Sequence, residues 1–302
     1  MRRISLALAV LSLALLLAAQ SALAAKRAHA KQSHYYLALG DSLSVGFQPL
    51  ANPGLETNQG YTNDLRAHYA RQVKRLKLVD LGCPGDTTGS LLSGQGNDAS
   101  AMLYHCPRTG GSQLAAAVKF LRAHHRRGEV PLVTIDIGAN DVDGCVNEPS
   151  FAQIIACVGA GEQAIKTNTP KILSALRRAA PKGTKFAAMN LYDPVLAFEL
   201  SSSSQERSLG TASLALVSSI NSDIGAADRA VRFKTADVAG AFGTYETRPI
   251  SYGSQSVGAD VVKICQLTWM CTSPPIGPNI HANATGYSVI AGAFESVIGK
   301  LK

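Results

Sequence analysis

Residues 35–46 read YYLALGDSLSVG, an apolar run that stops at Gly40-Asp41-Ser42. A short, nearly continuous apolar run that ends at glycine is typical of a strand buried on both faces, as in a parallel sheet. The residue that follows such a strand lies at its carboxyl end, where open α/β sheets bind ligands. Gly, Asp and Ser also favour plain turns. The tripeptide therefore predicts either a simple turn or a displayed Ser42 hydroxyl.

Four further segments have the composition of strands, and helical segments alternate with them. The predicted strands are 35–39, 76–81, 131–137, 185–190 and 231–238, and the predicted helices are 61–75, 113–125, 150–180, 205–230 and 284–298. Residues 83–111 and 240–280 show little periodicity and are predicted as loops, and Pro170 is a candidate break in the third helix. The alternation predicts a three-layer α/β/α domain with a five-stranded parallel sheet.

Residues 1–24 have the features of a secretory signal peptide. Arg2 and Arg3 precede an apolar run over 4–19, and Ala22-Leu23-Ala24 has the small-x-small pattern of a cleavage site. A retained membrane anchor is the alternative, but the run is short and the cleavage pattern follows directly. We therefore predict a secreted, extracellular protein whose mature part, residues 25–302, is a single domain.

The chain has six cysteines, which agrees with export to an oxidising compartment. Six cysteines can pair in 15 ways, and sequence alone does not choose among them. Their grouping favours the local pairs Cys83–Cys106, Cys145–Cys157 and Cys265–Cys271, because short loops close at the least entropic cost. A zinc site is a weak rival, since no C-x-x-C or H-x-x-x-H spacing occurs.

The net charge is +8, and it falls to +6 once the two arginines of the predicted signal peptide are removed. Basic residues cluster at 71–77 and 122–127. These clusters are either solvated helix faces or surfaces that make transient contact with anionic lipid or cell-wall polymer. Aromatic residues make up only 6% of the chain and are not interleaved with the basic runs. The composition therefore argues against nucleic acid as a partner.

Three predicted strands end in small or polar residues: Ser42 follows the first, Gly85 the second and Asn140 the third. In a parallel sheet these ends lie along one edge. A nucleophilic hydroxyl needs a base to accept its proton and donors to hold the oxyanion that forms. The backbone N–H groups of Ser42 and Gly85 and the Asn140 amide can donate. His281, directly before the last helix, is the best-placed base, although a lone histidine is more often structural.

Four sequence blocks carry a family resemblance: GDSLS at 40–44, CPGDTT at 83–88, GAND at 138–141 and IHANATGY at 280–287. In this order they resemble the signature blocks of the SGNH hydrolases, also called GDSL esterases and lipases. The cysteines and the export signal resemble the secreted bacterial branch. The resemblance implies a flavodoxin-like fold, Ser42 as nucleophile, Ser42, Gly85 and Asn140 as the oxyanion hole, and His281 as base. It implies no metal and no organic cofactor.

One position departs from that family. An aspartate usually stands three residues before the histidine and orients the imidazole, whereas this chain has Pro278 there. Neither Asn279 nor Ile280 can supply a carboxylate. A secreted subgroup that the chain resembles uses a backbone carbonyl in that place. We therefore predict a Ser42–His281 dyad in which the Pro278 carbonyl orients the histidine.

This dyad prediction has two testable consequences, of which the first is that His281→Ala should abolish most activity. Alanine at Asn279 leaves every backbone carbonyl in place and is therefore expected to cost little activity. The alternative is a true triad, in which Asp193 or Asp260 folds back to the imidazole, and no sequence argument excludes it.

The expected activity is hydrolysis of carboxylic esters, as an esterase or lipase acting on small or lipid acyl esters. Five apolar loop residues either line an acyl groove or pack beneath the loops: Leu91, Leu92, Met102, Leu103 and Trp269. Deacetylation of cell-wall or plant polysaccharide is a second enzymatic alternative, and a non-catalytic surface-binding protein on the same fold is a third. We expect the protein to be a monomer.

Overall fold

Five parallel strands form the central sheet of the computed structural model, which describes residues 33–51, 54–104, 106 and 111–301. The strands are β1 (His34–Gly40), β2 (Leu76–Asp80), β3 (Leu132–Asp136), β4 (Lys185–Met189) and β5 (Lys234–Ala236). Their order across the sheet is β2-β1-β3-β4-β5. The predicted signal peptide, residues 1–24, lies outside the described residues. The predicted α/β fold with a five-stranded parallel sheet is confirmed.

Strand β1 lies between β2 and β3, pairing His34 with Leu76 on one side and Tyr36 with Leu132 on the other. It is therefore covered at both edges as well as on both faces, and residues 36–39 are fully buried. This environment explains why its sequence is nearly continuously apolar. It also places the ends of β2, β1 and β3 side by side.

Helices cover both faces of the sheet. They are α1 (Tyr61–Ala70), α2 (Thr88–Ser93), α3 (Asp98–Leu103), α4 (Gln113–Ala123), α5 (Phe151–Ala179), α6 (Ser204–Ala230), α7 (Val238–Ala241), α8 (Ala259–Leu267) and α9 (Ala284–Ile298). Alternate residues of β1 enter two separate cores. Tyr36 and Ala38 pack with the side of α1 and α9, whereas Leu37 and Leu39 pack with the side of α4 and α5. The predicted three layers are therefore present.

The structure differs from the sequence prediction at several places. Helix α5 runs through Pro170 without a break over 29 residues, because a buried stripe that includes Ile165, Ile172 and Leu173 packs on both sides of the proline. The segments predicted as loops contain α2, α3 and α8 and a hairpin of β6 (Pro249–Tyr252) and β7 (Gln255–Gly258), whereas α7 begins at the last residue of the predicted fifth strand. In the part of the chain that is described, no helix has the length and hydrophobicity to cross a bilayer.

Three disulfides link the cysteines as the local grouping predicted: Cys83–Cys106, Cys145–Cys157 and Cys265–Cys271. None of the six cysteines lies in a strand. Each bond instead ties a loop or helix end at the carboxyl edge of the sheet, where the candidate site lies.

Candidate active site

The turn after β1 brings Ser42 to the carboxyl edge of the sheet. Gly40 has a φ of +147°, and a side chain there would overlap Asp136 of the neighbouring strand β3. Only glycine fits both constraints, so the chain can leave the sheet sharply at this point. The Ser42 carbonyl accepts a hydrogen bond from the Phe47 N–H at 3.0 Å, which closes the turn. Ser42 remains 7% exposed at its apex.

The loop before α9 brings His281 to this serine. The Ser42 Oγ and the His281 Nε2 lie 2.8 Å apart, although the residues are 239 positions apart in sequence. This distance is a normal hydrogen bond for a hydroxyl that donates to an unprotonated ring nitrogen. The two predicted residues are therefore in contact, in the arrangement that allows the imidazole to accept the serine proton.

The other imidazole nitrogen, Nδ1, meets the side-chain amide of Asn279, whose Oδ1 lies 2.6 Å away. The backbone N–H of His281 donates to this same Oδ1 at 3.1 Å. Because a backbone N–H can only donate, the Asn279 atom at this position must be the amide oxygen rather than the nitrogen. The oxygen in turn requires the imidazole proton on Nδ1. Nε2 is thereby left with a free lone pair toward Ser42.

The Pro278 prediction is therefore wrong: the side chain of Asn279, not the Pro278 carbonyl, faces Nδ1. The prediction considered a carboxylate and then a backbone carbonyl as the acceptor for the Nδ1 proton. The oxygen of an amide side chain is a neutral acceptor equivalent to a backbone carbonyl. The two alternative carboxylates are engaged elsewhere. Asp193 accepts the Val195 N–H at 3.0 Å, and Asp260 accepts the Val261 N–H at 2.8 Å.

Neighbouring backbone groups hold the histidine loop in place. The Trp269 N–H donates to the His281 carbonyl at 3.0 Å, and the Trp269 carbonyl accepts the Asn279 N–H at 3.2 Å. The Tyr192 hydroxyl donates to the Ile280 carbonyl at 2.8 Å. The disulfide Cys265–Cys271 closes the segment that carries Trp269. These contacts hold the His281 imidazole and the Asn279 amide in place relative to Ser42.

An aromatic ring covers the imidazole. The Phe47 and His281 ring centroids are 4.3 Å apart, and Phe47 in turn contacts Tyr104 at 5.9 Å. Burial lowers the pKa of His281 from about 6.5 to about 4. The imidazole is therefore neutral, and able to act as a base, at neutral pH.

Two buried carboxyl groups lie beneath the serine turn. The Asp41 carboxylate accepts the Leu43 N–H at 3.0 Å, and the Asp41 N–H donates to the Asp136 Oδ2 at 3.2 Å. Tyr61 donates its hydroxyl to the other oxygen of Asp136. Burial raises the pKa of Asp41 to about 6, and burial and the nearby Asp41 raise the pKa of Asp136 well above its usual range. At neutral pH the pair therefore holds less than two negative charges beneath Ser42.

The three predicted oxyanion donors follow three adjacent strands. Within the described residues, the N–H groups of Ser42 and Gly85 have no hydrogen-bond acceptor in the protein. Gly85 has a φ of +80°, and a Cβ there would lie 3.0 Å from the Ser100 Oγ. The Asn140 Nδ2 donates one hydrogen to the Asp86 carbonyl at 3.0 Å, which orients the amide and leaves its second hydrogen for a ligand.

An apolar cavity opens beside the dyad, with an empty volume of about 1020 Å³ that includes its open mouth. Leu43, Ala139 and His281 line its end at the serine. Its walls come from the segment after β3 and from α5 and α6: Val142, Val146, Phe151, Ile154, Ile155, Val158, Leu209, Ala212, Leu216, Val217 and Ile220. The disulfide Cys145–Cys157 joins two of these wall segments. A cavity of this size and polarity can take an extended apolar group.

Besides Asp41, the cavity lining includes two further carboxyl groups, those of Asp143 and Asp193. Burial raises the pKa of Asp143 to about 8 and that of Asp193 to about 6. Asp143 is therefore largely protonated at neutral pH, so that the cavity carries less negative charge than its composition suggests.

None of the five apolar residues singled out from the sequence lines this cavity. Leu91 is fully buried in the core and Leu92 packs against it, whereas Met102 and Leu103 are 86% and 63% exposed. Trp269 donates its indole N–H to Gln48. The cavity residues lie on helix faces whose spacing resembles that of an ordinary core, so periodicity alone could not distinguish them.

The lowered pKa of His281 predicts the pH dependence of any reaction that uses it as a base. Since the base must be unprotonated, we expect the acid limb of kcat/KM to have its midpoint near pH 4, instead of near 6.5. Rates with a soluble ester between pH 3 and 9, with circular dichroism to confirm folding, measure this limb.

Asn279→Asp identifies the group that titrates in this profile. A carboxylate beside Nδ1 favours the imidazolium, so the limb should move to higher pH if it belongs to His281. A midpoint near 6.5 in the wild type, or a limb that does not move in this variant, would contradict the assignment.

Comparison with known proteins agrees with this geometry. A model of the GDSL-like lipase/acylhydrolase family matches residues 38–289. An extracellular lipase from Streptomyces rimosus has a TM-score of 0.53 at 18% identity, over 88% of this chain and 100% of the lipase. Phospholipase A1 from Streptomyces albidoflavus NA297 has a TM-score of 0.53 at 18% identity, over 88% of this chain and 99% of the phospholipase.

A variant of an acetyl xylan esterase from Geobacillus stearothermophilus has a TM-score of 0.52 at 14% identity, over 90% of this chain and 97% of the esterase. At these identities the likeness to solved structures shows the fold. No curated protein is a significant match to the sequence. The family model nevertheless spans the end of β1, the four other strands of the central sheet and the histidine loop, and this chain therefore belongs to the GDSL-like lipase/acylhydrolase family.

Proposed function

We propose that this protein is a secreted serine hydrolase that cleaves carboxylic esters through an acyl-enzyme on Ser42, with His281 as general base. The observation that carries the proposal is the 2.8 Å contact between the Ser42 Oγ and the His281 Nε2. The Asn279 amide supports it, because it holds the imidazole in the tautomer that can accept a proton from the serine. Membership of an acylhydrolase family supports the reaction class.

Acylation begins when His281 takes the Ser42 proton at Nε2 and the Oγ attacks the ester carbonyl carbon. The carbonyl oxygen becomes an oxyanion, and the N–H groups of Ser42 and Gly85 and the second hydrogen of the Asn140 amide donate to it. The imidazolium then gives its proton to the leaving alkoxide, which departs as the alcohol. Throughout, Nδ1–H donates to Asn279, so only Nε2 exchanges protons.

Deacylation repeats these steps with water in place of the alcohol. His281 removes a proton from water, the hydroxide attacks the Ser42 ester, and the same donors hold the second oxyanion. Collapse releases the carboxylic acid and returns the proton to Ser42.

The apolar cavity is the proposed site for the acyl chain. It begins at His281 and Leu43, next to the nucleophile, and its walls are apolar apart from a few polar groups such as the two carboxyls and Ser213. Each methylene buried there contributes about 0.8 kcal/mol. We therefore propose a substrate with an acyl chain longer than acetyl, and we expect kcat/KM for p-nitrophenyl esters to rise from acetate toward medium-chain acids.

Two alanines of α6 offer a matched test of this acyl site. Ala212 lines the cavity, whereas Ala215 is exposed on the same helix and does not. Ala212→Trp should fill the part of the cavity that would hold two or three methylenes of the acyl chain. It should therefore lower kcat/KM for p-nitrophenyl octanoate by roughly 15- to 60-fold. The kcat/KM for p-nitrophenyl acetate should change little in this variant. Ala215→Trp should leave kcat/KM unchanged for every chain length.

The outcomes separate the alternatives. If both tryptophan variants retain the wild-type profile, the acyl chain lies elsewhere. If the wild type hydrolyses acetate esters alone, deacetylation of polysaccharide becomes the better-supported function. If it hydrolyses no ester and a fluorophosphonate does not label Ser42, a non-catalytic binding protein replaces the enzyme.

Secretion is part of the proposal. Three disulfides in one chain are typical of proteins that fold in an oxidising compartment. The pattern over residues 1–24 that predicts a signal peptide supports the same location. Mass spectrometry of the mature protein from culture medium should find its first residue at Ala25.

A further inference from the structure

The side chain of Gln113 joins the two backbone segments that carry the proposed oxyanion donors. It is the first residue of α4 and is 2% exposed. Its Oε1 accepts the Gly40 N–H at 2.8 Å, and its Nε2 donates to the Gly40 carbonyl at 2.9 Å and to the Asp86 Oδ2 at 2.9 Å. Gly40 precedes Ser42 by two residues, and Asp86 directly follows Gly85.

These contacts occur where the regular sheet ends. The strand pairing of β1 with β2 reaches Ala38 and Asp80, and further backbone bonds continue to the Cys83 N–H, which donates to the Gly40 carbonyl at 3.1 Å. The Gly40 N–H then donates to Gln113 instead of to a backbone carbonyl. The side-chain amide of Gln113 thus takes the place of a backbone peptide in a neighbouring strand. It extends the hydrogen-bonding pattern of the sheet past the ends of β1 and β2.

Asp86 is the second half of this connection. It is 1% exposed, and its Oδ1 accepts the Ser90 hydroxyl and the Asn97 amide, each at 2.9 Å. The same Asn97 amide donates to the Pro84 carbonyl at 2.9 Å. That carbonyl belongs to the peptide unit whose N–H is that of Gly85. Asn97 therefore holds the carbonyl of the Pro84–Gly85 peptide, and Gln113 holds Asp86, the residue that follows Gly85. Because a peptide unit is planar, a fixed carbonyl also fixes the direction of the Gly85 N–H.

An oxyanion hole works only if its donors lie about 2.7–3.1 Å from one and the same oxygen atom. A displacement of about 1 Å costs on the order of 10²-fold in rate. The Ser42 N–H and the Gly85 N–H lie on different strand ends, so a specific contact must hold their separation. Gln113 bridges those two segments with hydrogen bonds that are buried at every atom of its amide.

We propose that Gln113 is a positioning residue for ester hydrolysis: through Gly40 and Asp86 it sets the separation of the Ser42 and Gly85 N–H groups. The inference rests on the proposed function and adds a residue that does not touch the substrate. It acts on the tetrahedral state more than on the bound ester, because only the oxyanion needs both donors at once.

The test compares Gln113→Met and Gln113→Glu with the wild type on a p-nitrophenyl ester, with rates divided by the sites that a fluorophosphonate titrates. Methionine keeps the length of the side chain without its hydrogen bonds. Glutamate keeps the acceptor for the Gly40 N–H but places a carboxylate oxygen, which cannot donate, against both the Asp86 carboxylate and the Gly40 carbonyl. For both we expect kcat to fall about 10- to 100-fold with KM within about threefold. Affinity for a trifluoromethyl ketone, which mimics the tetrahedral state, should fall in parallel.

A reciprocal exchange provides the rescue. In Gln113→Glu combined with Asp86→Asn, the new asparagine can donate to the new glutamate and still accept from Ser90 and Asn97, while the Gly40 carbonyl keeps only the Cys83 N–H as its donor. The double variant should therefore recover part of the kcat that Gln113→Glu loses. A residue needed only for folding would change yield and melting temperature, but not the kcat of titrated sites.

Asn190→Leu is the matched control. Its amide also lies at a strand end, where it accepts the Ala239 N–H at 2.9 Å and donates to Asp237 at 2.8 Å. We expect it to lower the melting temperature and to leave kcat within about threefold, since no oxyanion donor depends on it. If both Gln113 variants keep kcat within threefold, or if Asn190→Leu loses as much kcat as they do, the inference is overturned. A wild type that hydrolyses no ester overturns the proposed function, and this inference with it.

Discussion

We expect Ser42→Ala to lower kcat for ester hydrolysis by about 10⁶-fold while the protein remains folded. Ser42 lies in a turn and makes its one short side-chain contact with His281, so removing the hydroxyl leaves the core and the sheet unchanged. His281→Ala should cost about as much, because a serine hydroxyl without a base is a poor nucleophile. The double variant should lose no more than either single one, since the two groups act as a unit.

The measurement is the steady-state rate on a p-nitrophenyl ester, together with labelling by a fluorophosphonate. Ser42→Ala should not be labelled, and His281→Ala should be labelled slowly. Circular dichroism and the melting temperature show whether each variant is folded. Labelling that survives Ser42→Ala, or single losses that multiply in the double variant, would show that the two residues do not form the proposed dyad.

The second large effect is expected at Asn279. Asn279→Leu keeps the size of the side chain but removes the acceptor for Nδ1–H, so the imidazole is free to place its proton on Nε2, where it blocks the serine. We expect kcat to fall about 10²- to 10⁴-fold, the upper value being the loss when a triad's orienting carboxylate is replaced. Asn279→Asp retains an acceptor and should keep at least the wild-type kcat at neutral pH.

The control for Asn279 is Asp260→Asn, which tests one of the carboxylates that could have completed a triad. Asp260 lies in the first turn of its own helix, where its carboxylate accepts the Val261 N–H and not the histidine, so kcat should stay within a few-fold of the wild type. NMR of the imidazole nitrogens gives an independent measure, because the wild type should show the proton on Nδ1. Asn279→Leu with wild-type kcat would return the orienting role to a backbone carbonyl.

The sequence was sufficient for the strand ends and for the residues that follow them. Ser42, Gly85 and Asn140 could be placed on one edge because a parallel sheet brings its carboxyl ends together, whatever the details of the loops. His281 could be placed because it stands in a loop directly before a helix. These are consequences of topology, and topology depends on patterns that span many residues.

The parts that could not be predicted depend on how particular side chains meet. Asn279 was not predicted because the sequence was inspected for a carboxylate, and an amide carries no charge. Only the distances from the His281 Nδ1 and N–H to the Asn279 Oδ1 identify this oxygen as the acceptor that orients the imidazole. The apolar loop residues were open to two interpretations, and neither pointed to this cavity, since its walls come from helices far apart in sequence. Gln113 has no sequence signature at all. Its role follows from the point at which the strand pairing stops.

The three disulfides lie outside the strands, in the loops and helix ends at the carboxyl edge of the sheet. The two hydrophobic cores on the faces of the sheet are built mainly from strand and helix side chains, so we expect the sheet to depend less on the three bonds than the site does. Each bond serves a different piece of the site: the Gly85 loop, the cavity wall and the support of the histidine. We therefore expect reduction of the three bonds to lower the rate of ester hydrolysis more than it changes the circular dichroism of the sheet and helices. If the protein is exported as proposed, oxidation after export is then the step that completes the alignment of the site.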